Sequence, residues 1–281
     1  MATIGAALAE GTARLNAAGV DAARLDARLL LAAASGKSVE QIVAWPEHEL
    51  SASESEAFER LVARRARREP VSQILGRREF WSLDLVTTRD TLTPRPDTET
   101  IIETALRLFP ERAAPLRILD LGTGTGCLLL ALLSEFPAAI GIGTEASLAA
   151  AVVASGNAAR LGLSARVQVV VGNWDDAIDG EFDLIVSNPP YIPTVELGRL
   201  EPEVAIYEPR AALDGGADGL GAYRDLAPRV AHRLVRGGFA LLEVGAGQAP
   251  DVAAICAAAG LQVHGHACDL AGRERCVVVK R

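Results

Sequence analysis

The chain has 281 residues, 49 % of them apolar, which is enough for two domains or one large one around a sizeable core. Its 36 acidic against 28 basic side chains leave a formal net charge of −8, which argues against a protein that grips nucleic-acid phosphates unaided. No apolar run approaches the ~20 residues of a membrane helix, the N-terminus lacks the basic stretch and apolar core of a signal peptide, and the four cysteines show no C-x-x-C spacing, so a reducing cytoplasm is the expected compartment.

Residues 1 to about 70 read as helices. Leu25, Leu29 and Leu30 form an apolar stripe, and two segments, Ser38 to Gln41 and Ser51 to Glu54, fit the capping box. The second opens a helix with Phe58, Leu61 and Val62 inward that ends before Pro70. Arg60, Arg64, Arg65, Arg67 and Arg68 on it read as a solvated face near a helix C-terminus rather than as a patch for an acidic partner. Phe80 to Thr88 is β-prone and partly alternating, which predicts a hairpin joining the helical part to the rest. Asp97 is expected to N-cap a helix running to about Phe109, where Pro110 stops it.

From Leu116 onward strand and helix alternate. Strands are predicted over 116–121, 139–143, 166–171, 182–187, 239–244, 261–266 and 274–280. Helices are predicted over 127–136, 146–161, 223–235 and 251–259. Such alternation implies a mostly parallel sheet with helices on both faces, and ligands bind at the carboxyl ends of its strands.

Four strand ends carry unusual residues. The first runs through Asp120 into Gly122, Thr123, Gly124, Thr125 and Gly126, a tight turn that lets a ligand approach the backbone and opens a helix at Cys127. The spacing is G-x-G-x-G and not the dinucleotide G-x-G-x-x-G, which lowers the odds of a nicotinamide or flavin. The second strand ends at Glu145, an acid able to accept from both hydroxyls of a ribose, and the third at Asn173 and Trp174, a hydrogen-bonding edge and a ring for a base. Amino-acid tail, ribose and base in that order describe S-adenosylmethionine. The fourth strand ends in Asn188-Pro189-Pro190-Tyr191. The prolines have no N–H and lock φ, so this stiff turn offers carbonyls, the Asn188 amide and a flat ring. Converging acceptors beside a ring suit a planar group ending in NH2. The four histidines do not converge, and no metal site is expected.

Residues 120–126 together with Asn188-Pro189-Pro190-Tyr191 resemble the amino-group methyltransferases that use S-adenosylmethionine. Arg78-Glu79-Phe80-Trp81-Ser82, Arg95-Pro96-Asp97-Thr98-Glu99 and Glu208-Pro209-Arg210-Ala211-Ala212-Leu213 narrow the resemblance to the peptide chain release factor glutamine N5-methyltransferases. It implies an S-adenosylmethionine-dependent, Rossmann-like α/β fold with a mostly parallel seven-stranded sheet and a small all-α N-terminal domain joined by a β-hairpin. The expected division is a helical substrate-recognition domain over 1–73, a hairpin linker over 74–96 and the methyltransferase domain over 97–281. It also implies that Gly122, Thr123, Gly124, Thr125, Gly126, Glu145, Trp174 and Asn188 surround S-adenosyl-L-methionine (the product being S-adenosyl-L-homocysteine), with Asn188, Pro189, Pro190 and Tyr191 as the catalytic stretch around the substrate. Glu145 stands where the family has Asp, and Asn173 stands where Asp is common before the Trp.

The implied reaction is methylation of the glutamine amide nitrogen in the Gly-Gly-Gln motif of release factors, by a monomer that binds neither nucleic acid nor membrane. The Asn188 oxygen and the Pro189 carbonyl would hold the two amide N–H groups, and Tyr191 would pack on the amide plane. A ribosomal-protein glutamine is an alternative substrate. Adenine N6 presents the same planar donor pair, but the acidic balance and the lack of a target-recognition domain disfavour it. A non-catalytic cofactor-binding scaffold is disfavoured by the intact Asn-Pro-Pro-Tyr.

Overall fold

The computed structural model describes residues 2–281. The chain forms two compact units, Met1–Arg77 with Glu201–Tyr207, and Arg78–Leu200 with Glu208–Arg281. Sequence reading leaves Glu201–Tyr207 inside an irregular excursion and does not foresee that it joins the helical unit.

The helical unit contains α1 (Ile4–Ala17), α2 (Ala23–Ser35), α3 (Val39–Ala44), α4 (Ala52–Ala66) and α5 (Val71–Leu75). Both capping boxes form: Ser38 and Ser51 accept from the backbone of Gln41 and Glu54, whose side chains accept from the serine N–H groups in return. Ile4, Leu15, Leu30, Leu31, Ile42, Leu50, Phe58 and Val62 close one core. At Gly11 a Cβ would lie 2.7 Å from the Phe58 ring, so the absence of a side chain there lets α1 approach α4. The arginine face of α4 departs from expectation. Arg65 is buried, with Nε 2.7 Å from an Asp26 carboxylate oxygen and Nη1 2.8 Å from Glu203, while Arg68 Nε reaches the same Glu203 oxygen at 2.6 Å. Only Arg60 and Arg67 are left as an exposed face. Two acids far away in sequence convert a nominally solvated stripe into an internal ionic cluster.

The larger unit opens with the hairpin β1 (Arg77–Phe80) and β2 (Leu83–Val86). Its turn residues Trp81 and Ser82 have φ of 51° and 60°, the left-handed pair that matches the twist of a two-residue hairpin. The Trp81 N–H donates to Glu99 and its indole N–H to Glu135, which holds the strained turn in place. A 3-10 turn, Pro96–Thr98, leads into α6 (Glu99–Leu108). Asp97 makes no cap; its carboxylate pairs with Arg275 at 2.8 Å, a stronger partner than a lone backbone N–H.

Then follow β3 (Arg117–Leu121), α7 (Cys127–Glu135), β4 (Ile140–Glu145), α8 (Leu148–Arg160), β5 (Val167–Val171), β6 (Phe182–Ser187), the helix Gly221–Arg233, β7 (Leu234–Glu243), the helix Ala249–Ala258, β8 (Gln262–Cys268) and β9 (Glu274–Lys280). The seven-stranded sheet runs β5-β4-β3-β6-β7-β9-β8, parallel except that β9 is antiparallel to β7 and β8. β7 starts five residues before the predicted Phe239, because Leu234 pairs with Phe182 ahead of an irregularity in the register. Strand periodicity divides the core. Ile118, Leu184 and Leu241 face α6 and α7, while Leu119, Ile185 and Leu242 face the helices Gly221–Arg233 and Ala249–Ala258. After β3 the chain winds outward through β4 and β5, then returns to lay β6 on the other side of β3. The carboxyl ends of β3 and β6 therefore flank the topological switch point, where open α/β sheets form a crevice.

Candidate active site

A cavity of about 470 Å³ opens at that crevice, entirely within the larger unit. The turn after β3 forms one wall. Gly122, Gly124 and Gly126 all have positive φ, and a Cβ on Gly124 would meet no protein atom within 4 Å, so the backbone at Gly124 borders open space. The N–H groups of Gly122 and Thr123 both donate to the Thr144 carbonyl, which ties the loop to the end of β4. Glu145 lies at the cavity, with its carboxylate engaged by the backbone N–H of Gly124 at 2.9 Å and of Ser147 at 3.0 Å.

Asp120 sits behind the turn, buried, with Oδ2 accepting from the Thr123 hydroxyl at 2.6 Å and Oδ1 without a hydrogen-bond partner. Burial, reinforced by the nearby Glu145 charge and opposed by the Thr123 bond, pushes its carboxyl up to about 7. An unpartnered buried acceptor lining a cavity suits a ligand that brings a cationic donor. Asn173 and Trp174 line the far side. Trp174 holds a φ of 48°, and its Cζ3 lies 3.5 Å from where a Gly122 Cβ would stand, so strain at one strand end places an indole ring beside the loop of another.

The turn after β6 forms the opposite wall. The Ser187 hydroxyl donates to the Leu121 carbonyl at 2.6 Å and locks the two strand ends together. Asn188, Pro189 and Pro190 line the cavity, and Asn188 Nδ2 donates to the Thr98 hydroxyl at 3.3 Å. Tyr191 does not line it. Its ring packs partly buried against the second core cluster, its carbonyl accepts from Gln248 Nε2 at 2.9 Å, and burial pushes its phenol up to about 12. Arg95 and the segment after Glu208 complete the rim, joined by an ion pair in which the single nitrogen Arg95 Nη2 lies 2.9 and 2.8 Å from the two Glu208 oxygens. Burial raises the Glu208 carboxyl and the Arg95 charge opposes it.

Of the residues named from sequence, the five loop residues from Gly122 to Gly126, Glu145, Trp174 and the first three of Asn-Pro-Pro-Tyr border this space, except that Gly126 turns away into the start of α7, where a Cβ would meet Leu130. Sequence reasoning missed Glu243, a buried acid at the end of β7 beside Asn188, and gave Thr98 no role. The signal for Glu243 is a charged residue closing an apolar strand, Phe239-Ala240-Leu241-Leu242. Among the described residues no group of three or more His, Cys, Asp or Glu is placed to hold a metal, and no helix is long and apolar enough to cross a membrane.

Residues 102–199 match the family model for the methyltransferase small domain, and residues 6–76 match that for the PrmC N-terminal domain. Among solved structures, the catalytic domain of hMettl16 in complex with an RNA hairpin superposes with a TM-score of 0.56 at 17 % identity, over 78 % of this chain and 81 % of that one. A methyltransferase from Pyrococcus furiosus does so with 0.52 at 18 % identity, over 70 % and 88 %. Sheet order, glycine turn and Asn-Pro-Pro-Tyr stretch thus make this protein a methyltransferase by fold. Its sequence is 48 % identical to the release factor glutamine methyltransferase of Rhodospirillum rubrum, over 99 % of this chain and 85 % of that protein. It is 47 % identical to that of Caulobacter vibrioides, over 94 % and 92 %, and 45 % identical to that of Agrobacterium fabrum, over 100 % and 98 %. The chain belongs to the release factor glutamine methyltransferase family.

Proposed function

We propose that this enzyme methylates the side-chain amide nitrogen (N5) of the glutamine in the Gly-Gly-Gln motif of class 1 peptide chain release factors, using S-adenosyl-L-methionine. When bound, that cofactor supplies an electrophilic methyl group on a sulfonium. The residues fit it: the open backbone at Gly124, the unpartnered Asp120 Oδ1, Glu145, and the Asn173–Trp174 edge all border one cavity. The observation that carries the reading is Asn188. Its Nδ2 is committed to Thr98, which leaves its oxygen, beside a proline turn without N–H donors, as an acceptor at the cavity wall.

A glutamine amide nitrogen is a poor nucleophile because its lone pair is delocalised into the carbonyl. Two acceptors, Asn188 Oδ1 and the Pro189 carbonyl, would hold its two N–H groups, fix its direction and favour the positive charge that develops on nitrogen. No base is needed in advance, since a methylated, tetrahedral amide nitrogen is strongly acidic and loses a proton readily. Tyr191, partly buried against the second core cluster, would pack on the amide plane. The helical unit, which contributes no residue to the cavity wall, we read as recognising the release factor. Four free cysteines accord with work in the cytoplasm, where such factors act.

The test is incubation with methyl-labelled cofactor and a purified release factor, followed by mass mapping. One added methyl on the Gly-Gly-Gln glutamine supports the proposal. Equal methylation of a factor carrying Ala in place of that Gln overturns the substrate assignment.

A further inference from the structure

We infer that Glu243 is a positioning residue for the transfer proposed above: its buried carboxylate and the Thr98 hydroxyl hold the Asn188 amide with Nδ2 turned to the protein and Oδ1 turned to the substrate. The inference rests on that proposed reaction and adds to it a residue outside the cavity wall.

Placement comes from the sheet. β6 and β7 are parallel with Ser187 opposite Leu242, so the next residues, Asn188 and Glu243, leave the two strands side by side. Thr98 enters from the turn before α6 and receives the Asn188 N–H at 3.3 Å. A side-chain amide has two orientations of nearly equal shape, and only one presents an acceptor to a substrate N–H. A carboxylate accepts and does not donate, so an ionised Glu243 favours the orientation with NH2 toward it. Two further observations mark this acid. It is 2 % exposed, and its Oε2 has no hydrogen-bond partner, a costly arrangement for a group with only a packing role. The strand end that carries it is itself fixed, because Tyr223 Oη donates to the Glu243 carbonyl at 2.7 Å.

The protonated form has the opposite effect. Its O–H donates, and Asn188 Oδ1 becomes the natural partner, which withdraws the acceptor from the cavity. Burial pushes the Glu243 carboxyl up to about 7, with Thr98, Arg275 and Asn188 pulling it down and Asp97 pushing it up. The other titratable groups around it are Tyr191, Tyr223, Cys127 and Cys276, all raised by burial and so neutral near pH 7. Arg275 is itself shared between Asp97 and Asp269. Turnover therefore rises with pH as Glu243 ionises.

The experiment measures single-turnover methylation of a Gly-Gly-Gln release factor at saturating cofactor from pH 5.5 to 8.5, with product binding by calorimetry alongside. The wild-type rate should climb through a limb near pH 7. Glu243→Gln should lower the rate about 10- to 100-fold, the scale of a misplaced reacting group, remove the limb and keep product affinity within about threefold. Thr98→Val, which keeps shape without the hydroxyl, should lose rate by a similar factor, and Thr98→Ser should recover most of it. A Glu243→Gln enzyme that keeps the wild-type rate overturns the inference, as does one that is slow but retains the limb. Should Glu243→Gln fail to fold, a wild-type rate in Thr98→Val overturns it instead. Wild-type activity on the factor reads the proposed reaction, and the ratio of variant to wild type reads the positioning, so the inference can fall while the reaction stands.

Discussion

Asn188 has one amide group with two ends, and the site uses both. The nitrogen donates to the Thr98 hydroxyl, and in the proposed mechanism the oxygen accepts from the substrate. Asn188→Ala removes the acceptor, and losing one preorganised contact of this kind costs on the order of 10²–10³ in rate. Single-turnover methylation should show that fall with cofactor binding much less affected; a wild-type rate would overturn the mechanism. Asn188→Asp keeps an acceptor but adds a charge, and should be slowed less. Gly124 makes a complementary case. Its φ of 56° is left-handed, and a Cβ there meets only open space, so Gly124→Val strains the backbone and fills the cavity from its floor. Calorimetry should find product binding weakened at least about 100-fold, by strain of ~1–3 kcal/mol together with the lost volume.

At the scale of elements, the glycine turn is held from outside by α8. Asn157 is fully buried; its Oδ1 accepts from the Val86 N–H at 2.8 Å, and its Nδ2 donates to the Val86 carbonyl at 3.1 Å and the Thr125 carbonyl at 2.9 Å. One side chain thus joins the hairpin strand β2 to the glycine turn. Asn157→Leu keeps the volume and strands those backbone groups, each worth ~1–3 kcal/mol when left unmade in the interior. Urea denaturation should register a loss of at least ~2 kcal/mol, and a change under half of that would show that the bridge contributes little. The arginines of α4 teach a related lesson. Their helical spacing is plain in the sequence, but whether a given arginine meets water or an acid depends on Asp26 and Glu203, which no local pattern connects to Arg65.

For the molecule as a whole, Asp120 and Glu243 make stability pH-dependent. Both carboxyls rise to about 7 on folding, chiefly through burial, from ordinary values near 4. A raised acid contributes stability in full below its unfolded pKa and loses it as pH rises through the folded one, so the ligand-free protein should melt at progressively lower temperature from about pH 4.5 to above 7. Asp120→Asn and Glu243→Gln should each flatten that slope in a thermal scan; an unchanged slope in both would show that neither carboxyl is held neutral. The division into units gives another expectation. A chain beginning at Arg78 retains every residue that lines the cavity and should still bind the product, whereas its methylation of intact release factor should fall at least about tenfold, the outcome a side-by-side assay with the full chain would check.

The order of strands and helices, the two capping boxes, the glycine turn and the Asn-Pro-Pro-Tyr stretch were all legible in the sequence, because each rests on period, turn chemistry or caps that act within a few residues. With them came the class of fold, and the family through motifs that occur in a fixed order. Partners distant along the chain were not legible. Asp97 has the look of a cap and pairs with Arg275; Glu243 passes as the end of a strand and lies beside Asn188. Those outcomes follow from sheet order and register, which bring the ends of β3, β6 and β7 together at one crevice, and from burial, which turns ordinary carboxyls into groups poised near neutrality. Only the folded chain sets which carbonyls, amides and acids share that small volume, because the contacts that decide it join residues 90 to 178 positions apart in sequence across a few ångströms of space.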